Sequence, residues 1–199
     1  IGGGTSDIAV FEHGAIKHTA VIPIGGDHVS NDIAVALRAP PKNADEIKIQ
    51  YGCALPELLE GDEMFEVNDV GDRPSREMSR HVLTEVIRAR MDELLRLIQR
   101  EVRRGGFDTM PAGGVVLTGG SSQLQGVVEL AEEIFEVPVR LGLPSQVQGL
   151  TDVARDPGHA TGVGLLRFGS QSLPQTPGQG DSGFRQVWER MKSWFQGNF

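Results

Sequence analysis

The chain has 199 residues, enough for one or two domains with cores of their own, and its 39% hydrophobic and 23% charged content is that of an ordinary globular protein. A net charge of −8 argues against broad nucleic-acid binding, and no run approaches the ~20 apolar residues of a membrane span. One cysteine, Cys53, permits no internal disulfide and suits a reducing compartment; a small buried residue is its expected role.

The chain opens on Ile1-Gly2-Gly3-Gly4-Thr5-Ser6-Asp7, ahead of the apolar strand Ile8–Phe11. Without Cβ atoms the three glycines let the backbone turn sharply and bring N–H groups up to an anion. Thr5 and Ser6 add hydroxyl donors, and Asp7 is placed to orient the turn or a metal-bound water. The loop does not open onto a helix, so it matches neither the P-loop nor the dinucleotide fingerprint. By itself it also describes an unliganded hairpin turn. Asp7 to Ile24 reads as a hairpin, with Ile8, Val10, Ile16, Val21, Ile22 and Ile24 as strand formers and Glu12-His13-Gly14 as its turn. Gly25-Gly26 ends the strand, Asp27 or Ser30 is expected to cap a helix through Leu37, and Ala39-Pro40-Pro41 closes the unit.

Asn43 is the expected cap of the next helix, with Asp45 and Glu46 in its first turn. Asp45, Lys48 and Gly52 lie three and four apart and share one face; the spacing equally describes a solvated ion pair worth ~0.2–0.5 kcal/mol. Leu55 to Arg73 holds short, turn-rich strands such as Met64–Val67. From Ser75 a long helical pattern runs through Met78, Val82, Val86, Met91, Leu94, Leu95, Ile98 and Val102 to Gly105-Gly106. Arg73, Arg76, Arg80, Arg88 and Arg90 make this piece cationic, as a solvated face often is.

The strand Val115–Leu117 leads into a second glycine loop, Thr118-Gly119-Gly120-Ser121-Ser122, and then a helical pattern from Leu124 to Phe135. Two strand–Gly-Gly–polar elements so far apart suggest two walls of one nucleotide cleft. Val137–Leu141 reads as a short edge strand. Asp156-Pro157 opens a helix whose small residues Ala160, Gly162 and Gly164 suit close backbone packing. The histidines at 13, 18, 28, 81 and 159 show no metal-ligand spacing, and no Ser/His/Asp set is arguable, so no catalytic residue and no protein metal centre is assigned.

Gly169 to Gly183 is nearly all Gly, Ser, Gln, Pro and Thr, the composition of a flexible tether spanning roughly 20–25 Å root-mean-square. Beyond it Phe184, Val187, Trp188, Met191, Trp194, Phe195 and Phe199 recur at three and four, an apolar helical stripe. Arg185, Arg190 and Lys192 against Glu189 give this segment a net charge of +2, leaving −10 for the remainder. A basic, aromatic, amphipathic helix on a loose tether reads as an interfacial membrane anchor for an anionic surface. Docking on its own domain or in a partner groove is the other reading.

Ile1–Asp7 and Val115–Ser122 resemble the second phosphate loop and the adenosine loop of the actin/Hsp70/sugar-kinase superfamily. Ala44–Lys48, Tyr51–Ala54, Leu150-Thr151-Asp152 and the amphipathic C-terminus narrow the resemblance to the FtsA family of bacterial cell-division proteins, over nearly the whole chain. The resemblance implies an α/β chain with the actin-like (ribonuclease H-like) ATPase fold, its C-terminal half only, with a mixed sheet. Residues 1–41 and 111–168 would form the large subdomain, 42–110 a small inserted α/β subdomain, 169–183 the linker and 184–199 the membrane-targeting helix. It implies ATP with Mg2+ at Gly2, Gly3, Gly4, Thr5, Asp45, Glu46, Lys48, Gly119, Gly120 and Ser121. A carboxylate, Glu46 or Asp45, would take ribose hydroxyls and the Lys48 stem would cover the base. Gly25 and Gly26 would stand beside the phosphates, although plain punctuation between strand and helix explains that pair as well. The family carries an Asp ahead of Ile1 and an earlier phosphate loop, so a longer protein is expected, and weak nucleotide binding by this half alone.

The same resemblance implies that the small subdomain receives the acidic C-terminal peptide of FtsZ, with arginine forks such as Arg73, Arg76 and Arg80 as candidates. Self-association into filaments, contacts with other divisome membrane proteins and a place on the cytoplasmic face of the inner membrane at the division site complete the expectation. Hydrolysis would be slow at most. A kinase or chaperone ATPase of the superfamily, or a shape-determining actin, is the alternative. The first lacks an assignable catalytic base, the second would carry a substrate domain where this chain has a tether, and the third usually lacks a terminal anchor.

Overall fold

A tight turn at His13-Gly14, with φ of 52° and 78°, joins antiparallel strands β1 (Ser6–Glu12) and β2 (Ala15–Ile22). Two successive positive φ values match the right-handed twist of the paired strands, so the expected hairpin forms. This computed structural model describes residues 1–61, 63–67, 74–145 and 154–172. Arg73, Leu150-Thr151-Asp152, the expected tether from residue 173 and the expected helix 184–199 lie outside them. Residues Ile1–Val163 form one unit, and Gly164–Phe199 belong to a second.

Helix α1 (Gly26–Ala36) is capped neither by Asp27 nor by Ser30. Gly25 is the cap residue, and its N–H donates to Nδ1 of His28 at 3.2 Å. Helix α2 (Pro41–Tyr51) starts two residues before the expected Asn43 cap, because Pro41 stands in the first turn, where its missing N–H is no loss and its φ is already helical. Strands β3 (Met64–Val67) and β4 (Arg76–Ser79) pair antiparallel, so four of the residues expected to begin the long helix form a strand instead. That helix, α3 (Arg80–Arg104), begins at Ser79, whose Oγ accepts from the His81 N–H at 3.2 Å. The strand pairing fixes its entry and shifts its first turns by one residue. Leu83 and Ile87 are fully buried, whereas Val82 is 46% exposed; from Met91 onward the expected stripe holds.

Strands β5 (Val115–Leu117) and β6 (Val139–Leu141) pair in parallel through α4 (Val127–Phe135). The helix starts three residues later than its periodicity suggests, since Gly120–Gln123 forms a 3-10 turn and Gly126 takes φ of 81°. A second 3-10 turn, Pro157–His159, is capped by Asp156, whose Oδ1 accepts from the Gly158 N–H at 2.6 Å. Helix α5 (Ala160–Ser172) follows, so Gly169–Ser172 continue a helix rather than begin a tether. Among the described residues nothing stands within 4 Å of where a side chain on Gly162 would begin, so the close packing expected of that glycine is not seen.

Met91, Leu94 and Leu95 of α3 join Val29 and Ile33 of α1, Leu37 just after it, and Val127 and Leu130 of α4 in the core. Each such side chain contributes ~1.5–3 kcal/mol on burial. Cys53 is buried, its Sγ 3.2 Å from the Leu55 carbonyl oxygen.

Candidate functional site

The two glycine loops meet. The Gly2 carbonyl accepts from the Gly26 N–H at 2.9 Å and from Ser121 Oγ at 3.0 Å, and the Gly3 carbonyl accepts from the Asp27 N–H at 2.8 Å. The first loop thus satisfies two of the orphan donors at the start of α1. Its second contact runs to the other loop, where the Ser121 N–H donates to the Ile1 carbonyl at 3.3 Å and the Ile1 nitrogen donates to the Thr118 carbonyl at 2.6 Å. Residues more than a hundred positions apart are therefore in direct contact.

Several glycines here are required by contact. A side chain on Gly25 would overlap the Gly3 carbonyl, one on Gly26 would overlap Ser121 Oγ, and one on Gly119, at φ of 95°, would overlap the Ile1 carbonyl. Gly4 and Gly120 differ. Neither has a positive φ, and a Cβ on either would meet nothing within 4 Å. Gly2, Gly3, Gly4 and Gly120 are exposed. Open space beside a glycine that its own backbone does not need is what close approach by a ligand uses. Thr5 is exposed as well, its Oγ1 3.5 Å from Asp7 Oδ2.

Helix α2 bonds to the start of α1 beside these loops. Lys48 Nζ donates to Asp45 Oδ1 at 2.7 Å, to Ser30 Oγ at 2.7 Å and to the Gly26 carbonyl at 3.2 Å, and Ser30 Oγ donates to Asp45 Oδ1 at 2.8 Å. Lys48 thereby ties α2 to the residue that receives the first loop. The hydrogen bonds from Lys48 and then Ser30 hold the Asp45 carboxyl below its ordinary range, against a smaller opposing effect of burial. Asp45, not Glu46, sits in this network; Glu46 is exposed. The sequence marked Asp45 and Lys48 by their spacing but gave no sign that Ser30 would bond them, or that His28 and Asp27 would stand beside Gly25 and Gly3. The carboxylate of Asp27 lies 3.1 Å from where a Cβ on Gly3 would stand.

The arginines divide by their partners. Arg80 is held inside the unit: Nε donates to the Tyr51 carbonyl at 2.9 Å, Nη1 to Glu63 at 2.7 Å and Nη2 to Gln125 at 2.7 Å. Arg76 Nη2 donates to the Leu37 carbonyl. Arg90 lines a groove of about 380 Å3 between α1 and α3 together with Val35, Ala36, Val86 and Ala89, and Asp32 and Glu93, which line it too, hold its guanidinium. Among the described residues no group of three His, Cys, Asp or Glu is arranged to hold a metal, and no helix is long and apolar enough to cross a membrane.

Comparison with known proteins gives consistent results. The family model described as "Cell division protein FtsA" matches residues 1–164. The Cell division protein FtsA of Pseudomonas aeruginosa is 55% identical over 207 aligned residues, covering 100% of this chain and 50% of that protein. The chain spans about half the length of the curated relatives it matches. Among solved structures, MreB5 of Spiroplasma citri bound to ADP superposes with a TM-score of 0.67 at 19% identity, covering 86% of this chain and 52% of that one. The MamK double helical filament gives a TM-score of 0.65 at 18% identity, covering 87% of this chain and 53% of that one. These likenesses show the actin-like fold. With its family match running unbroken from the first glycine loop into α5, the chain belongs to the FtsA family of cell-division proteins.

Proposed function

We propose that this chain forms one wall of an ATP site in an actin-like cell-division protein that joins the FtsZ ring to the inner membrane. The observation that carries the nucleotide reading is the open space beside Gly4 and Gly120, on two loops bonded to each other. Backbone N–H groups and small hydroxyls there suit phosphates, and the Asp45–Lys48 face of α2 suits a ribose and base. The ADP bound by MreB5, a protein of the same fold, agrees with it. A magnesium ion takes most of its ligands from phosphate and water, so Asp7 and Asp27 beside the first loop are the carboxylates that would face it.

Gly120→Asp in full-length protein tests this reading. A Cβ there meets nothing within 4 Å, so the melting temperature should hold while ATP affinity measured by calorimetry falls at least about tenfold, from a carboxylate facing phosphate. Wild-type affinity would remove the loop from the site. Gly119→Asp is a poorer probe, since its overlap with the Ile1 carbonyl disturbs the fold itself.

The remaining roles rest on composition and family. The cationic, tryptophan-bearing segment 184–199 would hold the protein at an anionic leaflet, on the cytoplasmic face of the inner membrane at the division site. The small subdomain would receive the acidic C-terminal peptide of FtsZ; the guanidinium of Arg80 already donates to Tyr51, Glu63 and Gln125, and that of Arg90 to Asp32 and Glu93, so such a peptide would have to compete with these partners. The filament formed by MamK supports self-association. Contacts with other divisome membrane proteins, and ATP hydrolysis that is slow and regulatory, belong to the same reading.

A further inference from the structure

Ser30 is one of four buried polar residues among those described, and it lies on α1, off both glycine loops. A hydroxyl has a single proton to donate. Two acceptors compete for it: Asp45 Oδ1 at 2.8 Å and the Gly26 carbonyl, one helical turn back, at 3.3 Å. The carboxylate is nearer and charged, and it wins the proton. The lone pairs of the same oxygen accept from Lys48 Nζ at 2.7 Å. Ser30 is therefore donor to the carboxylate and acceptor for the ammonium at once, on the buried side of both.

The consequence falls on Asp45. Its Oδ1 receives both Ser30 and Lys48, whereas Oδ2 accepts nothing among the described residues, and the side chain is 53% exposed. One oxygen is held by two donors and the other, on a half-exposed side chain, is left as an acceptor for hydroxyl donors. A neutral sugar hydroxyl suits that oxygen, whereas a phosphate beside it would be repelled.

Resting on the nucleotide reading above and refining it, we propose that Ser30 is a positioning residue that aims Asp45 at a ribose hydroxyl and so sets preference for ribonucleotides. Without the Ser30 hydroxyl, Lys48 keeps its bond to Asp45, but the carboxylate is free to rotate. Loss of orientation is felt by the sugar contact and not by the phosphates, which the glycine loops hold.

The test uses full-length protein and calorimetry with ATP, 2′-deoxy-ATP and 3′-deoxy-ATP, beside thermal melting. Unaltered protein should disfavour at least one deoxynucleotide about tenfold, the worth of one hydrogen bond to a charged group. Ser30→Ala should bring that ratio below about threefold while still binding all three nucleotides, with a melting temperature lower by a few degrees for the lost buried bonds, and Ser30→Thr, which keeps the hydroxyl, should restore the ratio. A Ser30→Ala protein that keeps the wild-type ratio, or that weakens for all three nucleotides in parallel, overturns the assignment, as does unaltered protein that binds ATP without regard to the sugar hydroxyls. Unaltered protein that binds no ATP at all would overturn the nucleotide reading itself.

Discussion

Lys48 is only 16% exposed, and its ammonium is engaged on three sides, by Asp45, Ser30 and Gly26. Its spacing from Asp45 would also suit a solvated pair; what distinguishes this one is the third residue, which arrives from a different helix. The depressed Asp45 carboxyl sets a direction with pH. A carboxylate with a lowered folded pKa stabilises fully above its unfolded value, near 3.9, and that contribution disappears as pH falls through the folded value. Asp45→Asn should therefore cost stability at pH 7, about 0.2–1 kcal/mol for a half-exposed pair, and cost nothing in acid once the carboxyl is protonated in the folded protein as well. Urea melts at both pH values measure it, and equal losses at the two would contradict the pairing.

At the scale of elements, α3 decides how the small part of the molecule packs. Its entry is held by β4, by the Ser79 cap and by the three-way grip on Arg80, and its last turn is tied to β2 through His18 Nε2 and Glu101 at 3.2 Å. Those fixtures rotate the first two turns so that Leu83 and Ile87, rather than Val82 and Val86, carry the stripe. Leu83→Ala should then lose about 2–5 kcal/mol by leaving a cavity, and Val82→Ala well under 1 kcal/mol. Chemical denaturation of the two variants separates the phases, and comparable losses would return the helix to the register its periodicity suggests.

For the whole molecule the prediction concerns charge and surface. Trp188→Glu with Trp194→Glu should release full-length protein from anionic vesicles in a flotation assay, because two carboxylates replace the headgroup anchors on the apolar stripe. Raising salt should weaken the binding of unaltered protein, each Lys or Arg near the leaflet being worth about 1 kcal/mol. Undiminished flotation of the double variant would refute the anchor. The sequence by itself determined what depends on neighbours: the hairpin at His13-Gly14, the β5–α4–β6 unit, both glycine loops and the family. Turn chemistry and side-chain period act within about four residues, so they are legible along the chain. Tertiary structure decided which carboxylate Lys48 meets, that Ser30 stands behind it, where α3 begins, and that Gly2 and Ser121 touch. The Ser30–Lys48 and Gly2–Ser121 contacts join positions 18 and 119 residues apart; spacing carries no record of them, and only packing around a shared core brings them together.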